Sequence, residues 1–483
     1  MDQSIDSNNT SLTQLSPNCQ RVQTQELTSL NYPIRNTLKL KVKKCNECKK
    51  KIKLINEIHQ ICHLCYKAKI GKLSGNKVID NFIKSTLSNC HADTKLEFVP
   101  YDRFKNIEFV AEGGFSKIYK ATWIDGLITN KWDEEKQEFK RFGEMIVALK
   151  ELKDTLKIFY NFILKCRASL LNQYYGITQN PITLNFIIIT NYYKLGDLTH
   201  YISNDFFNIS WGIKLKILRD MIIGLQVLHS ADIIHQDYHS GNIFSKEIEG
   251  NYDTSAITGD FGISKSAIGS SDNGNEVYGI IPYVAPEVLQ GQKYTKASDI
   301  YSFGMIMWEL MTGRRPFWDK SHDTELIIEI CDSIRPPIVT NAPEGYIELM
   351  QKCWHSDPNE RPNANDISLK FKYELYYRNE ENNPTKIIRS SDIGPITTNN
   401  PGAIYKSRPL SAMIKSAKFT KSLKSQCILP ELDKIVKKFK LCEDKNDDYL
   451  TKELIFDIHD NVNSNESNSN KTNYKTKELD FDI

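Results

Sequence analysis

The sequence predicts an α+β fold of two lobes with a cleft between them. Three observations predict it. A long central block, residues 104–376, is dense in apolar runs and turn signals, as one large fold is. Its first third reads as strands, because "IEFVAEGGFSKIYKATW" and "MIVALKEL" alternate or run apolar with β-branched residues. The remainder reads as helices, such as "WGIKLKILRDMIIGLQVLHS" and "DIYSFGMIMWELMTG". Strands first and helices afterwards segregate the two element types into separate layers.

The flanks divide by composition. Residues 1–35 are rich in Ser, Asn, Gln and Thr without periodicity and read as a disordered N-terminus. Residues 36–69 form a basic, cysteine-containing segment, and 70–103 a short helix and linker. In that linker "NKVIDNFIKSTL" sets Val78, Ile79, Phe82 and Ile83 at helical spacing. Residues 377–483 turn to Asn, Ser, Lys and Asp and read as a mostly disordered tail. "LPELDKIVKKF" is its best helix candidate, and the basic run "YKSRPLSAMIKSAKFTKSLKS" reads as a solvated stretch rather than a docking or phosphorylation segment. There is no internal repeat.

Over 483 residues, 40% are hydrophobic and 25% charged, ordinary values for a globular chain. A net charge of +3 argues against a dedicated nucleic-acid partner. The start "MDQSIDSNNTSLTQ" lacks the basic and apolar regions of a secretory signal, and no apolar run reaches the ~20 residues that span a bilayer. The expectation is a soluble, cytoplasmic protein without a membrane partner, the nucleus remaining open.

Four of the eleven cysteines fall in two pairs, Cys45-x-x-Cys48 and, after thirteen residues, Cys62-x-x-Cys65. Each pair suits a tight turn that aims two sulfurs at one point, and two such turns complete a tetrahedral, structural Zn²⁺ site. Lys43, Lys44, Lys49, Lys50 and Lys51 favour the thiolates zinc requires. Incidental thiols, or a set with His59 or His63 in place of a cysteine, are the alternatives. Leu38 to Leu54 holds no aromatic residue for base stacking, so the lysines read as a solvated face.

The chemistry lies in the central block. "IIHQDYHSGNIF" brings Asp237 and Asn242 together on a polar turn between isoleucines. "AITGDFGISK" offers Asp260-Phe261-Gly262, "PYVAPEVL" holds Ala285-Pro286-Glu287, and "VALK" ends on Lys150. Phosphoryl transfer needs phosphates held in line and their developing charge neutralised. Mg²⁺ takes hard oxygen ligands, which an Asp carboxylate and an Asn amide oxygen supply. A lysine on a rigid strand fixes positive charge at the phosphates, and a second Asp accepts the proton of the attacking hydroxyl.

In order, "AEGGFSKIY", "VALK", "HQDYHSGN", "DFG" and "APE" resemble the signature set of the eukaryotic protein kinase superfamily. The resemblance covers roughly residues 105–375 and implies the two-lobed kinase fold, β-rich then helical. "GMIMWELMTGRRPF" and "CWHSDPNERP" are similar to the tyrosine-kinase-like branch, whose members are usually Ser/Thr-specific. The N-terminal C-x-x-C segment is similar to an arrangement in fungal expansions of these kinases. The resemblance implies ATP and Mg²⁺ as cofactors, a protein substrate, and signalling partners met through the termini. By it, Asp237 is the catalytic base, Asn242 and Asp260 hold Mg²⁺, and Lys150 contacts the α/β-phosphates. Val110, Ile118 and Ala148 sandwich adenine, Thr190 is the gatekeeper, Asn191 to Tyr193 form the hinge, and Asp197 meets the ribose. Arg361 is expected to pair with Glu287.

The pattern also breaks. Ala111 and Ser116 replace the outer glycines of the Gly-rich loop, leaving Gly113, and their Cβ atoms restrict φ. The regulatory-helix glutamate is missing: between Lys150 and Phe186 the acidic residues are Glu151 and Asp154, both too close to Lys150, and Phe162 falls where the glutamate belongs. An impaired site, a carboxylate from elsewhere, and a deletion or misassigned splice all account for this. Gln236 replaces an Arg that reads activation-loop phosphate, His239 a Lys that steadies the phosphoryl group, and Ile280 a Thr that supports the base. Two functions follow: a Ser/Thr protein kinase, or a pseudokinase that binds ATP as a signalling scaffold. Retention of Lys150, Asp237, Asn242 and Asp260 favours the first.

Overall fold

The computed structural model describes residues 42–46, 49, 51–53, 65, 73–88, 96–112, 116–133, 135–136, 138–152, 169–247, 254–261, 265–266, 276–372, 387–396 and 398–425. Gly113, Cys48, Cys62, Phe162, the 1–35 segment and the candidate helix at 429–439 lie outside these residues. The chain divides into two units, Met1–Cys62 and His63–Ile483.

In the first unit, β1 (Val42–Lys44) and β2 (Lys51–Lys53) pair antiparallel as a hairpin. Cys45 is buried at the hairpin's end, and its carbonyl accepts from the Lys49 amide at 2.9 Å.

The second unit opens with α1 (Lys77–Ser88), capped by the Asn76 side chain, which accepts from the Val78 amide at 2.9 Å. Ile79, Phe82 and Ile83 bury as their spacing predicts, but Val78 is 73% exposed. Second in the helix, it falls just outside the apolar stripe. A six-stranded sheet follows, built from β3 (Glu97–Phe98), β4 (Phe104–Glu112), β5 (Ser116–Trp123), β8 (Met145–Leu152), β9 (Tyr174–Gln179) and β10 (Phe186–Asn191). Its order is β3-β9-β10-β8-β5-β4, antiparallel except for the β3–β9 pair. A side hairpin of β6 (Ile128–Asp133) and β7 (Glu138–Arg141) projects between β5 and β8. Alternation along β8 sends Val147 and Leu149, both fully buried, into the sheet's own core with Trp123, Ile187 and Ile189. By the same period of two, Ala148 and Lys150 share the other face.

The helical part begins with α2 (Leu198–Asp205) and α3 (Trp211–Ser230), the latter capped by Ser210 accepting from the Ile213 amide. Next come β11 (Ile233–Ile234) and the hairpin of β12 (Ile243–Glu247) with β13 (Thr254–Thr258). After β14 (Lys265–Ser266) and β15 (Tyr278–Gly279) stand α4 (Pro286–Leu289), α5 (Lys296–Thr312), α6 (Thr324–Cys331), α7 (Tyr346–Cys353) and α8 (Ala364–Lys370). The central α5 is buried from Ser298 to Thr312 and starts at a Thr295–Ser298 capping box. It stops at Gly313, whose φ of 74° is left-handed; an added Cβ there would meet the Phe206 ring at 2.7 Å.

The chain beyond 377 departs from the disordered reading over residues 387–425. After β16 (Arg408–Pro409), Leu410 buries together with Ile414 and Ala417 of α9 (Ser411–Ser425) at helical spacing, and α9 lies on α6. Burying a Leu or Ile side chain stabilises by about 1.5–3 kcal/mol, which a basic composition alone does not reveal. β16 pairs antiparallel with β15, Tyr278 opposite Pro409 and Gly279 opposite Arg408.

Candidate active site

The strand parity that buries Val147 and Leu149 presents Lys150 to the cleft, where its ammonium contacts Asp260 Oδ1. Glu151 lies on the opposite face, nearly buried, and accepts from Thr183 Oγ1 at 2.8 Å and Asn185 Nδ2 at 2.9 Å. Parity therefore removes it as a partner for Lys150, beyond its closeness in sequence. Ala111 and Ser116 both sit in extended strand, paired with Ile118 and Leu152, so their Cβ atoms meet no left-handed backbone. The expected φ restriction is not felt there.

Asp237 and Asn242 belong to one tightly wired turn. Asn242 Nδ2 donates to the Asp237 carbonyl at 2.7 Å, with Asp237 Oδ2 at 3.5 Å. Its Oδ1 has no partner among the described residues and remains an acceptor. Buried Asp299 fastens the approach, accepting from the His235 amide at 2.9 Å, the Gln236 amide at 3.0 Å and His229 Nε2 at 2.9 Å. Gln236 and Asp260 hold φ of 71° and 56°. Such non-glycine conformations cost on the order of 1 kcal/mol each and persist where surrounding bonds over-determine them.

The β12–β13 hairpin brings Asp260 to this turn. Ile243 pairs with Thr258, the Gly259 amide donates to the Asn242 carbonyl at 2.9 Å, and Asp260 follows. His235 Nε2–H donates to the Gly259 carbonyl at 2.9 Å, leaving Nδ1 to accept from the Asp237 amide. Burial pushes the pKa of His235 down, so the ring is neutral, as that bonding requires. Burial would raise the Asp260 carboxyl, but the Lys150 ammonium outweighs it and holds the group below the usual aspartate range. Asp237 behaves alike: burial is outweighed by His239 beside it and by a hydroxyl on its oxygens, so it stays ionised.

That hydroxyl comes from Ser407, whose Oγ lies 2.7 and 2.8 Å from the two Asp237 carboxylate oxygens. His239 Nδ1 accepts from the Gly241 amide, which directs Nε2 to within 3.5 Å of Asp237 Oδ1 and 3.4 Å of Ser407 Oγ. The sequence reading found His239 but missed Ser407, which lies 170 positions from Asp237. Glu309 was missed too. Buried on α5, it accepts from Ser240 at 2.9 Å and Tyr283 at 2.8 Å, bracing the turn.

The residues expected around adenine share one region of the sheet and its exit. Ala148 pairs with Thr190, and Ile118 with Lys150. Val110 is 47% exposed on β4. The Thr190 hydroxyl faces two acceptors, Asn172 Oδ1 at 2.8 Å and the Gln173 carbonyl at 2.7 Å. Asn191 Oδ1 accepts from Tyr175 at 3.4 Å. Tyr193 stacks on Phe244 with centroids 5.0 Å apart and planes 6° from parallel. Phe244, unnoticed in the sequence, fills the space beside Gly259, where a Cβ would meet its ring at 2.6 Å. Asp197 caps α2, accepting from the His200 amide at 2.8 Å. Farther off, Arg361 meets Glu287 through two bonds of 2.8 and 2.7 Å, both side chains buried.

Among the described residues no group of three or more metal-ligating side chains appears, and no helix is long and apolar enough to cross a membrane. The chain is 30% identical over 275 residues to a Dictyostelium discoideum protein named "Probable serine/threonine-protein kinase". It is 31% identical over 299 residues to Cyclic GMP-binding protein C of the same organism, and 30% over 266 residues to another "Probable serine/threonine-protein kinase" there. These matches take in 54%, 57% and 55% of this chain but only 14%, 11% and 15% of the relatives, which are far longer. The family described as protein tyrosine and serine/threonine kinase matches residues 104–371, more than half of the sequence. With the ordered motifs and this match together, the chain belongs to that kinase family.

Proposed function

We propose that this chain transfers the γ-phosphoryl group of ATP to Ser or Thr hydroxyls of proteins, as a member of the tyrosine-kinase-like branch. One observation carries the reading: Lys150 enters the cleft and meets Asp260 although the helix glutamate is missing. A cation on a rigid strand beside an ionised Asp is the electrostatic core the transfer requires. Asn242 Oδ1 and the Asp260 carboxylate are hard oxygen donors, and Gly259 holds them adjacent, so they fit Mg²⁺. When bound, the ion would neutralise charge on the phosphates. Asp237, kept ionised, takes the proton of the acceptor hydroxyl. The names of the Dictyostelium relatives support Ser/Thr as the acceptor class.

The test is phosphate incorporation by purified protein from labelled ATP with Mg²⁺, beside Asp260→Ala. Incorporation that vanishes in the variant supports the transferase. Saturable ATP binding in a thermal-shift titration with no incorporation favours the scaffold reading instead, which the opposite-facing Glu151 supports.

We also propose a structural zinc on Cys45, Cys48, Cys62 and Cys65. The support is Cys45, buried at the turn where a thiolate pair would form. Elemental analysis should find one zinc per chain. A metal-free protein that remains folded sinks this part.

A further inference from the structure

We propose that Ser407 is the chain's own acceptor: residues Tyr405–Leu410 lie in the active site as a bound substrate strand, and Ser407 is phosphorylated within the same molecule. This rests on the transferase reading above. A surface serine that merely met a carboxylate would need no further support, yet this one is held on both sides. Upstream, the Tyr405 hydroxyl donates to the Pro316 carbonyl at 2.9 Å, and its ring sits 4.7 Å from His322 and 4.4 Å from the Arg315 guanidinium. His322 Nδ1 donates to the Ile404 carbonyl at 2.9 Å. Downstream, β16 pairs with β15, and the Leu410 amide donates to the Val277 carbonyl at 2.7 Å. The Val277 amide in turn donates to Ser411 Oγ at 2.9 Å. Between these clamps Ser407 Oγ meets both oxygens of Asp237.

Strand pairing fixes the backbone of the docked segment, so side-chain length decides which hydroxyl arrives. A Ser hydroxyl stands about 2.4 Å from its Cα and a Tyr hydroxyl about 6.5 Å. At this backbone height only the short side chain ends on the carboxylate. The site thus selects Ser and Thr by reach, with recognition carried largely by the main chain, as in strand addition.

In the step, Ser407 Oγ bonds to the γ-phosphorus of ATP as the bond from that phosphorus to the β,γ-bridging oxygen breaks. ADP leaves with the electron pair, and the hydroxyl proton passes to Asp237 and then to water. The product carries about −1.5 to −2 charge against the Asp237 carboxylate, so repulsion expels the strand. One transfer would open the site to other acceptors.

The experiment takes dephosphorylated full-length protein, ATP and Mg²⁺, with histone added as an external acceptor, and maps phosphate by mass spectrometry across a dilution series. Phosphate on Ser407 at a rate constant unchanged by dilution is the expected result. Ser407→Ala should lose that phosphate and Ser407→Thr keep it. Hydrogen exchange at the Leu410 amide should be slow before ATP and fast afterwards, a readout independent of turnover. Labelled histone with bare Ser407 overturns the proposal and leaves the transferase intact. So does a Ser407 rate proportional to protein concentration, or a Leu410 amide that exchanges freely from the start. Label on no acceptor at all overturns both readings together.

Discussion

Adjacent residues on β8 face opposite ways, and that parity gives Lys150 and Glu151 unlike surroundings. Lys150 reaches Asp260 across the cleft, while Glu151 is tied to Thr183 and Asn185 behind the sheet. Arg361 shows the same dependence of a charge on its setting. Its two bonds to Glu287 lie where neither side chain meets water. Removing Arg361 leaves the Glu287 carboxylate charged, buried and without its cation, which costs about 3–5 kcal/mol. Arg361→Ala should therefore lower the chemical-denaturation midpoint sharply, with Glu287→Ala smaller in effect because the guanidinium keeps the His355 and Ala297 carbonyls; a loss under about 1 kcal/mol for Arg361→Ala would mean that water reaches the pair. Both members were legible in the sequence, because the motifs that hold them recur in fixed order. Ser407 was not: no spacing rule links it to Asp237, and a serine in a basic run carries no chemical signal alone.

At the scale of elements, α3 carries an unusual burden. Lys214 is fully buried, its ammonium 3.8 Å from the Phe206 ring centroid and 5.1 Å from that of Trp211, with no hydrogen-bond partner among the described residues. Burial pushes its pKa from 10.5 to about 7. Between those values the unfolded chain holds a proton that the folded chain has released, so stability rises with pH. One such group adds about 2–3 kcal/mol between pH 7 and pH 9. Lys214→Met should flatten that slope and stabilise the protein most at pH 7 and below; a variant with the wild-type pH profile would refute the assignment. The period of 3.6 that exposes α3 in the sequence also runs from Leu410, just ahead of α9, through Ile414 and Ala417 within it. There it was masked by the lysines between, since a solvated face and a half-buried helix share that composition. Val78 errs the other way, an apolar residue at helical spacing that the fold leaves in water.

Across the whole molecule, segregation of strands and helices followed from periodicity, although the sheet buries a core of its own around Trp123 and Val147 and also shares Tyr174, Ile177 and Ile188 with the helices' core. The docking of 387–425 did not, because it depends on a surface assembled from Val277, Pro316, His322 and α6, distant stretches that meet only after folding. That docking has a kinetic meaning. An occupant carried on the same chain acts at an effective concentration on the order of millimolar, whatever the dilution of the protein. On the transferase reading, and until Ser407 carries phosphate, a free peptide of identical sequence starts at a disadvantage of that size, so its apparent KM reports eviction of the resident strand as much as its own affinity. Short-peptide surveys begun on protein with bare Ser407 would then rank competitors against that serine, and weak acceptors would vanish from view in the first turnovers while strong ones looked merely ordinary.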